Sequence, residues 1–271
     1  MMDDNTDLTK RQSITAFVDA LQAQGRYTFT RGEAMGSDRF SAVALEAALR
    51  RLKQRGRIAR PRRGFYAIVP LEYKEAQCLP ASWFIDDLMG FLGQPYYVGL
   101  LSAAAVYGAA HQQPMDFQVV TDRATRPVHV GRVRITFHKS RSVAKLPTGR
   151  IQTETGTMRV STPEATALDL VRFTAAAGGL SNVATVLSEL AEKIRPEEWA
   201  ATMDQYASPI LQRAGYLLEM VGKDDLAAPL AQWLSLRRYR PVPLSPGKKI
   251  SSEPADPRWR VIANDTPEID L

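Results

Sequence analysis

The chain has 271 residues, 45% of them apolar and 24% charged, with a net charge of +6 and one cysteine. This excludes a disordered, collagen-like or disulfide-stapled chain, and a lone Cys78 forms neither an internal disulfide nor a cysteine zinc cluster. No apolar run approaches the ~18 residues that cross a bilayer, and the start, Met-Met-Asp-Asp-Asn, is too acidic for a signal peptide. The expectation is a cytoplasmic protein of about two domains with no membrane partner.

The charge is unevenly placed. Residues 1–70 hold 13 Lys/Arg against 7 Asp/Glu, residues 123–150 hold 8 against none, and the rest is net acidic. Basic blocks like these are either the footprint of a polyanion binder or a solvated face, and local structure decides between the two.

Thr9 opens a capping box with Gln12, followed by an apolar stripe at Ile14, Phe17, Val18 and Leu21 that Gly25 ends. Tyr27-Thr28-Phe29 reads as a short strand. A second capping box, Thr30 with Glu33, opens a short helix closed by Gly36. Ser37 or Asp38 caps a third helix, with Ala42, Leu45, Ala48, Leu49 and Leu52 on one side. Arg39, Val43, Arg50 and Gln54 lie on the other, with Arg51 and Arg55 on the flank. Two strands follow, Arg57–Ala59 and Phe65–Val69, joined through Arg60-Pro61-Arg62-Arg63-Gly64, where Gly64 suits a positive φ.

Three helices and a two-stranded hairpin follow the winged helix-turn-helix plan, in which the third helix enters the DNA major groove. From Arg50 to Arg63 there are eight basic residues and no acid. The predicted DNA contacts are Arg39, Ser41, Arg50, Arg51, Arg55, Arg57, Arg60, Arg62 and Arg63, the arginines bonding phosphate and Arg39 and Ser41 reaching base edges. Val43 and Ala47 are placed to touch a thymine methyl. Neutralising six to eight phosphates gives a log–log salt slope of roughly −5 to −7, with about 3 of it from Arg60, Arg62 and Arg63.

After Pro70 the pattern changes to mixed α/β. Trp83–Leu92 and Leu100–Gly108 read as helices. Tyr96–Gly99, Phe117–Thr121, Val128–Val130 and Val133–His138 read as strands, the last two turning at Gly131. Val133, Ile135 and Phe137 alternate with Arg134, Thr136 and His138, which predicts a half-buried strand with a basic outer face. Glu154–Val160 is a further hairpin. Thr162-Pro163-Glu164 starts a helix strongly. Helices capped by Ser181, or starting at Pro196, Ser208-Pro209 and Asp224-Asp225, complete the part. Pro241, Pro243, Pro246, Pro254 and Pro257 argue against regular structure at the end, where Trp259–Ile262 is expected to dock as a small strand or pack locally. The fold class is therefore α+β, an N-terminal winged helix-turn-helix domain followed by a larger mixed α/β domain with a helical C-terminal part. The boundaries are 1–72, 73–240 and a Pro-rich tail, 241–271.

No catalytic set, metal site or cofactor motif is visible. His111, His129 and His138 lack ligand spacing, and His129 and His138 are expected at the surface. Cys78 has no adjacent partner and is expected to be a buried or boundary thiol. Glu72-Tyr73-Lys74 imitates the end of a nuclease metal motif without its upstream acid. Within the second basic block, Arg123, Arg126, Arg132, Arg134, Lys139 and Arg141 form a candidate secondary surface for nucleic acid or for an acidic protein.

Three segments carry a family resemblance: LEAALRRLKQRGRIARPRRGFYAI beginning at Leu45, Tyr97-Val98-Gly99-Leu100-Leu101-Ser102-Ala103-Ala104-Ala105-Val106-Tyr107-Gly108, and Ser161-Thr162-Pro163-Glu164-Ala165-Thr166-Ala167-Leu168-Asp169-Leu170. In this order the chain resembles the AbiEi-type antitoxins and transcriptional regulators of type IV toxin–antitoxin systems, over roughly residues 10–235. The resemblance implies a repressor that binds inverted repeats of double-stranded operator DNA in its own promoter. It also implies a C-terminal part that counteracts a nucleotidyltransferase-like toxin without forming a stable complex with it. A stand-alone regulator with a ligand- or partner-sensing α/β domain is the alternative, and a DNA-acting nuclease a more distant one.

Overall fold

A computed structural model describes residues 13–36, 41–109, 114–250 and 252–268. In chain order the elements are α1 (Ile14–Ala23), β1 (Thr28–Thr30), α2 (Arg31–Met35), α3 (Ala42–Gln54), β2 (Ile58–Arg62), β3 (Phe65–Ile68), α4 (Ile85–Leu92), β4 (Tyr96–Val98) and α5 (Leu100–Val106). There follow β5 (Phe117–Thr121), β6 (Val128–Val130), β7 (Val133–Lys139), β8 (Thr148–Thr153), β9 (Gly156–Ser161), α6 (Pro163–Arg172) and α7 (Leu180–Leu190). Then come α8 (Ala200–Met203), α9 (Ser208–Met220), α10 (Asp224–Ser235), β10 (Val242–Pro243) and β11 (Val261–Ile262). Two units result, one of residues 1–94, 126–136 and 151–158, the other of 95–125, 137–150 and 159–271.

The first unit begins with a winged helix-turn-helix order. The Thr9 capping box lies outside the described residues, and α1 is capped by Ser13, whose Oγ accepts the Ala16 N–H at 3.2 Å. Its Ile14, Val18 and Leu21 are buried. Thr30 and Glu33 form the expected reciprocal cap on α2, at 3.1 and 2.7 Å. Ser37 and Asp38 also lie outside the described residues, and Ser41 is the cap of α3, its Oγ accepting the Ala44 N–H at 3.2 Å. Leu45, Ala48, Leu49 and Leu52 form the buried stripe of α3, each leucine worth about 1.5–3 kcal/mol of burial. They close over Phe29, which meets Phe17 edge-on at 5.6 Å and stacks on Tyr66 at 5.1 Å.

β1, β3 and β2 form an antiparallel sheet in that order. Its register shifts between Ala59 and Arg62, around Pro61, which has no N–H to give the ladder. Gly64 turns the hairpin at φ 86°, as expected.

The larger mixed sheet has the order β6-β7-β5-β4-β9-β8. In the second unit, β4 pairs antiparallel with β5 and parallel with β9 at Val98↔Val160. Helix α6 starts at Thr162-Pro163 as expected, and from Glu164 to Val171 it is buried all round, the mark of a central helix. The α7 cap differs from expectation. Gly179 at φ 94° precedes the helix, and Ser181 lies inside it with its Oγ accepting the Glu268 N–H at 3.1 Å.

His138 also departs from the surface position expected of it. It is half-buried against the Phe173 ring at 5.3 Å, and its buried Nε2 has no hydrogen-bond partner among the described residues. Burial holds its pKa down, with Asp116 pulling the other way. His129 is exposed, as expected.

The Pro-rich stretch is ordered by pairing and packing. β10 runs parallel to β11, with bonds from the N–H groups of Val242 and Leu244, each 2.9 Å. Those donors flank Pro243, so its missing N–H costs the pairing nothing. Trp259 is fully buried on Gly215, where an added Cβ would sit 2.0 Å from the indole ring. Its Nε1–H donates to Glu219 at 2.5 Å, and the Gln212 amide donates to its carbonyl at 2.8 Å.

Candidate nucleic-acid interface

The outer face of α3 presents Ala42, Val43, Glu46, Ala47 and Arg50, which with Arg31 of α2 line a shallow groove of about 470 Å³. Val43 is 81% exposed. Arg31 is the residue that sequence reading missed. The capping box places it at the first position of α2, and its guanidinium reaches Glu46 on α3 at 4.0 Å.

The named arginines fall into separate groups. Arg39 lies outside the described residues. Ser41 uses its oxygen as the α3 cap. Arg50, Arg51, Arg55, Arg60 and Arg63 are exposed, and among the described residues none has a carboxylate in ion-pair range. Arg51 and Lys53 stand in the last turn of α3, where positive charge also suits the helix dipole. Arg60 lies beside the Tyr66 hydroxyl, whose pKa is raised by burial first and the Glu46 charge second.

Arg57 and Arg62 are engaged elsewhere. Arg57 donates to Asp19 at 2.6 Å and to Gln22 at 3.3 Å on α1. Arg62 donates to the carbonyls of Arg126 and of Pro127, the latter at 3.2 Å, and burial, then the Arg126 charge, lowers its pKa. Both guanidiniums tie parts of the first unit together.

The second basic block is divided. Arg126, Arg132 and Arg134 belong to the first unit, on or beside the β6–β7 hairpin. At its turn Gly131 has φ 55°, and a Cβ there would lie 2.1 Å from the Ala76 carbonyl oxygen, so a close backbone approach requires the glycine. Arg123, Lys139 and Arg141 belong to the second unit, with Arg123 3.4 Å from Asp122.

Among the described residues no group of three His, Cys, Asp or Glu side chains converges as a metal site would. Cys78 is fully buried, as expected, and burial pushes its thiol up to about 12, which suppresses the reactive thiolate. Glu72 and Tyr73 sit in a 3-10 turn, Leu71–Tyr73.

One buried acid stands out. Asp169 on α6 accepts from the Tyr97 hydroxyl at 2.8 Å and lies 3.0 Å from the Tyr206 hydroxyl. Burial raises its pKa to about 6, the two tyrosines and Arg172 opposing. Tyr206 has two acceptors in reach, Asp169 and the Ala165 carbonyl at 3.1 Å, but one proton. Above that pKa Tyr206 shares its one proton between the two; below it a protonated Asp169 donates to Tyr206, which then donates to Ala165. The Asp169 carboxyl itself is fully buried, so the group reads as a core hydrogen-bond network.

The first unit opens with a helix-turn-helix order and a β-hairpin wing, and the second is a larger mixed α/β unit. Residues 17–69 match the family model "Transcriptional regulator, AbiEi antitoxin", and residues 97–220 match "AbiEi antitoxin C-terminal domain". The chain belongs to the AbiEi-type family of antitoxins and transcriptional regulators. A crystal structure of the RV2827C protein from Mycobacterium tuberculosis shares the fold, with TM-score 0.63, 18% identity, and coverage of 93% of this chain and 91% of that one. No curated protein matches the chain. Among the described residues no helix is long and apolar enough to cross a membrane.

Proposed function

We propose that the chain is an autorepressor that binds inverted repeats in its own promoter and an antitoxin against a nucleotidyltransferase-like toxin. DNA binding is assigned to residues 1–72 and antitoxin activity to residues 73–240. The observation that supports the DNA reading best is the open face of α3, with Val43 and Ala47 beside Arg50, next to a wing whose Arg60 and Arg63 are exposed. An apolar stripe with a flanking arginine suits base edges, and arginines at a wing tip suit phosphate. Arg57 and Arg62 support the domain's shape instead.

Fluorescence anisotropy with a promoter fragment and with random duplex tests this reading. Tighter binding to the promoter, with a steep salt dependence, is the expected result; equal affinity for both overturns the operator assignment. Co-expression with the neighbouring toxin tests the antitoxin part. Growth restored without a co-purifying complex is expected, and growth that stays arrested overturns it.

A further inference from the structure

We propose that the second unit holds a binding site for a small phosphate ester, in the cavity between the end of β7 and the start of α9. The cavity encloses about 490 Å³ and is lined by Lys139, Arg141 and Arg172 on one side and by Tyr206, Ala207 and Ile210 on the other. Ser142 and Gln205 complete it, and among the described residues no carboxylate lines it. Lys139 and Arg141 are exposed, and among the described residues neither has an ion-pair partner.

Arg172 is held in place. Its Nη1 donates to the buried Ser140 hydroxyl at 2.8 Å, and its guanidinium lies 5.0 Å from the centre of the Phe173 ring. A guanidinium held in this way binds an oxyanion with little further loss of side-chain freedom. The α9 N-terminus adds to the field, since Ala207 offers it no side-chain cap. Three cations and no acid select a multiply charged anion.

Bare phosphate would leave most of the space empty, because cavities of about 300–1,000 Å³ suit drug-sized ligands. The apolar wall then takes the rest of the ligand. The Tyr206 hydroxyl is committed to Asp169 and Ala165, which leaves its ring for that contact. A phosphate monoester with a flat or apolar body, of mononucleotide size, meets both walls. The inference does not depend on the operator or antitoxin assignments.

Calorimetry and thermal melting of the full chain with adenosine 5′-monophosphate, adenosine and inorganic phosphate test it. The monophosphate is expected to bind and raise the melting temperature, adenosine to do neither, and inorganic phosphate to bind more weakly. Lys139→Gln with Arg141→Gln is expected to weaken the monophosphate by about tenfold or more while melting as the parent does without ligand. Arg172→Lys keeps the charge, loses the fork and is expected to weaken binding as well. No binding at millimolar monophosphate, or equal binding by the double variant, overturns the site. Inorganic phosphate binding as tightly as the monophosphate overturns the ester. Lower affinity of the double variant for random duplex, with no monophosphate bound by the parent, assigns these cations to nucleic acid and overturns the proposal.

Discussion

The first unit keeps its arginines in solvent, on α3 and the wing, whereas the second buries Asp169 and Glu164 inside α6 and gives each a partner. Burying a charge is costly without partners, so a buried acid that has found hydrogen-bond donors reports on architecture. An exposed arginine costs little to keep, and the five that have no carboxylate partner among the described residues are the ones the DNA proposal rests on. Arg57 and Arg62 cross that division: they lie in the basic run but serve the fold.

The largest effect expected lies in the packing of the second unit. Trp259→Ala removes a fully buried ring from Gly215 and the indole N–H bond to Glu219, and is expected to cost about 3–5 kcal/mol in denaturant unfolding. A cost below about 1 kcal/mol would detach the Pro-rich stretch from the core. Asp169 comes next. Its folded pKa is raised from 3.8 to about 6, so its contribution to stability is fully present below about 3.8 and is lost as pH rises through about 6. The loss is on the order of 3 kcal/mol between pH 4 and 6, read from unfolding midpoints. Asn is a close mimic of the protonated acid: its amide N–H donates to Tyr206 and its oxygen accepts from Tyr97. Asp169→Asn is therefore expected to fold and to flatten that pH profile. A profile unchanged by the substitution would move the titration elsewhere.

In the first unit, Arg60→Ala with Arg63→Ala is expected to flatten the salt slope of DNA binding by about 2. Arg62→Ala alone is expected to leave the slope unchanged and lower stability by about 1 kcal/mol, since it removes bonds to the Arg126 and Pro127 carbonyls. A drop in slope of about 1 for Arg62 alone would return it to the phosphate interface.

That contrast also marks what was legible in the sequence. Cap signals located α2 and α6, Ser208-Pro209 located α9, and the apolar stripe located α3 without its Ser41 cap, because these signals are local. The wing was legible from Gly64 and its flanking arginines. Charge counting assigned all the wing arginines to DNA, and only tertiary placement separates Arg57 and Arg62 from their neighbours: their partners, Asp19 and the 126–127 carbonyls, are distant in the chain. The same limit hid the half-buried setting of His138 against Phe173, and the division of the 123–150 block between two units. Arg172 drew no attention because its surroundings come from β7 and α9. The small strand expected within Trp259–Ile262 is present as β11, but its partner β10 was hidden by the prolines around it, because composition does not show which N–H groups the ladder uses.

The smallest effect expected separates base reading from phosphate binding. Val43 is 81% exposed, so Val43→Ala should leave stability within about 0.5 kcal/mol. If its methyls meet a thymine methyl, replacing that thymine by deoxyuridine costs the parent about 0.8 kcal/mol, the worth of one buried methyl-sized group. The variant should pay nothing for the same change, and the mismatch between the two differences is the coupling of Val43 to that base. Scanning each thymine of the operator in turn locates the partner, while affinity for random duplex stays level because no charge has changed. Additive losses at every thymine would leave α3 in the groove without Val43 as a reader, and sequence preference would then rest on Arg50 and Arg31.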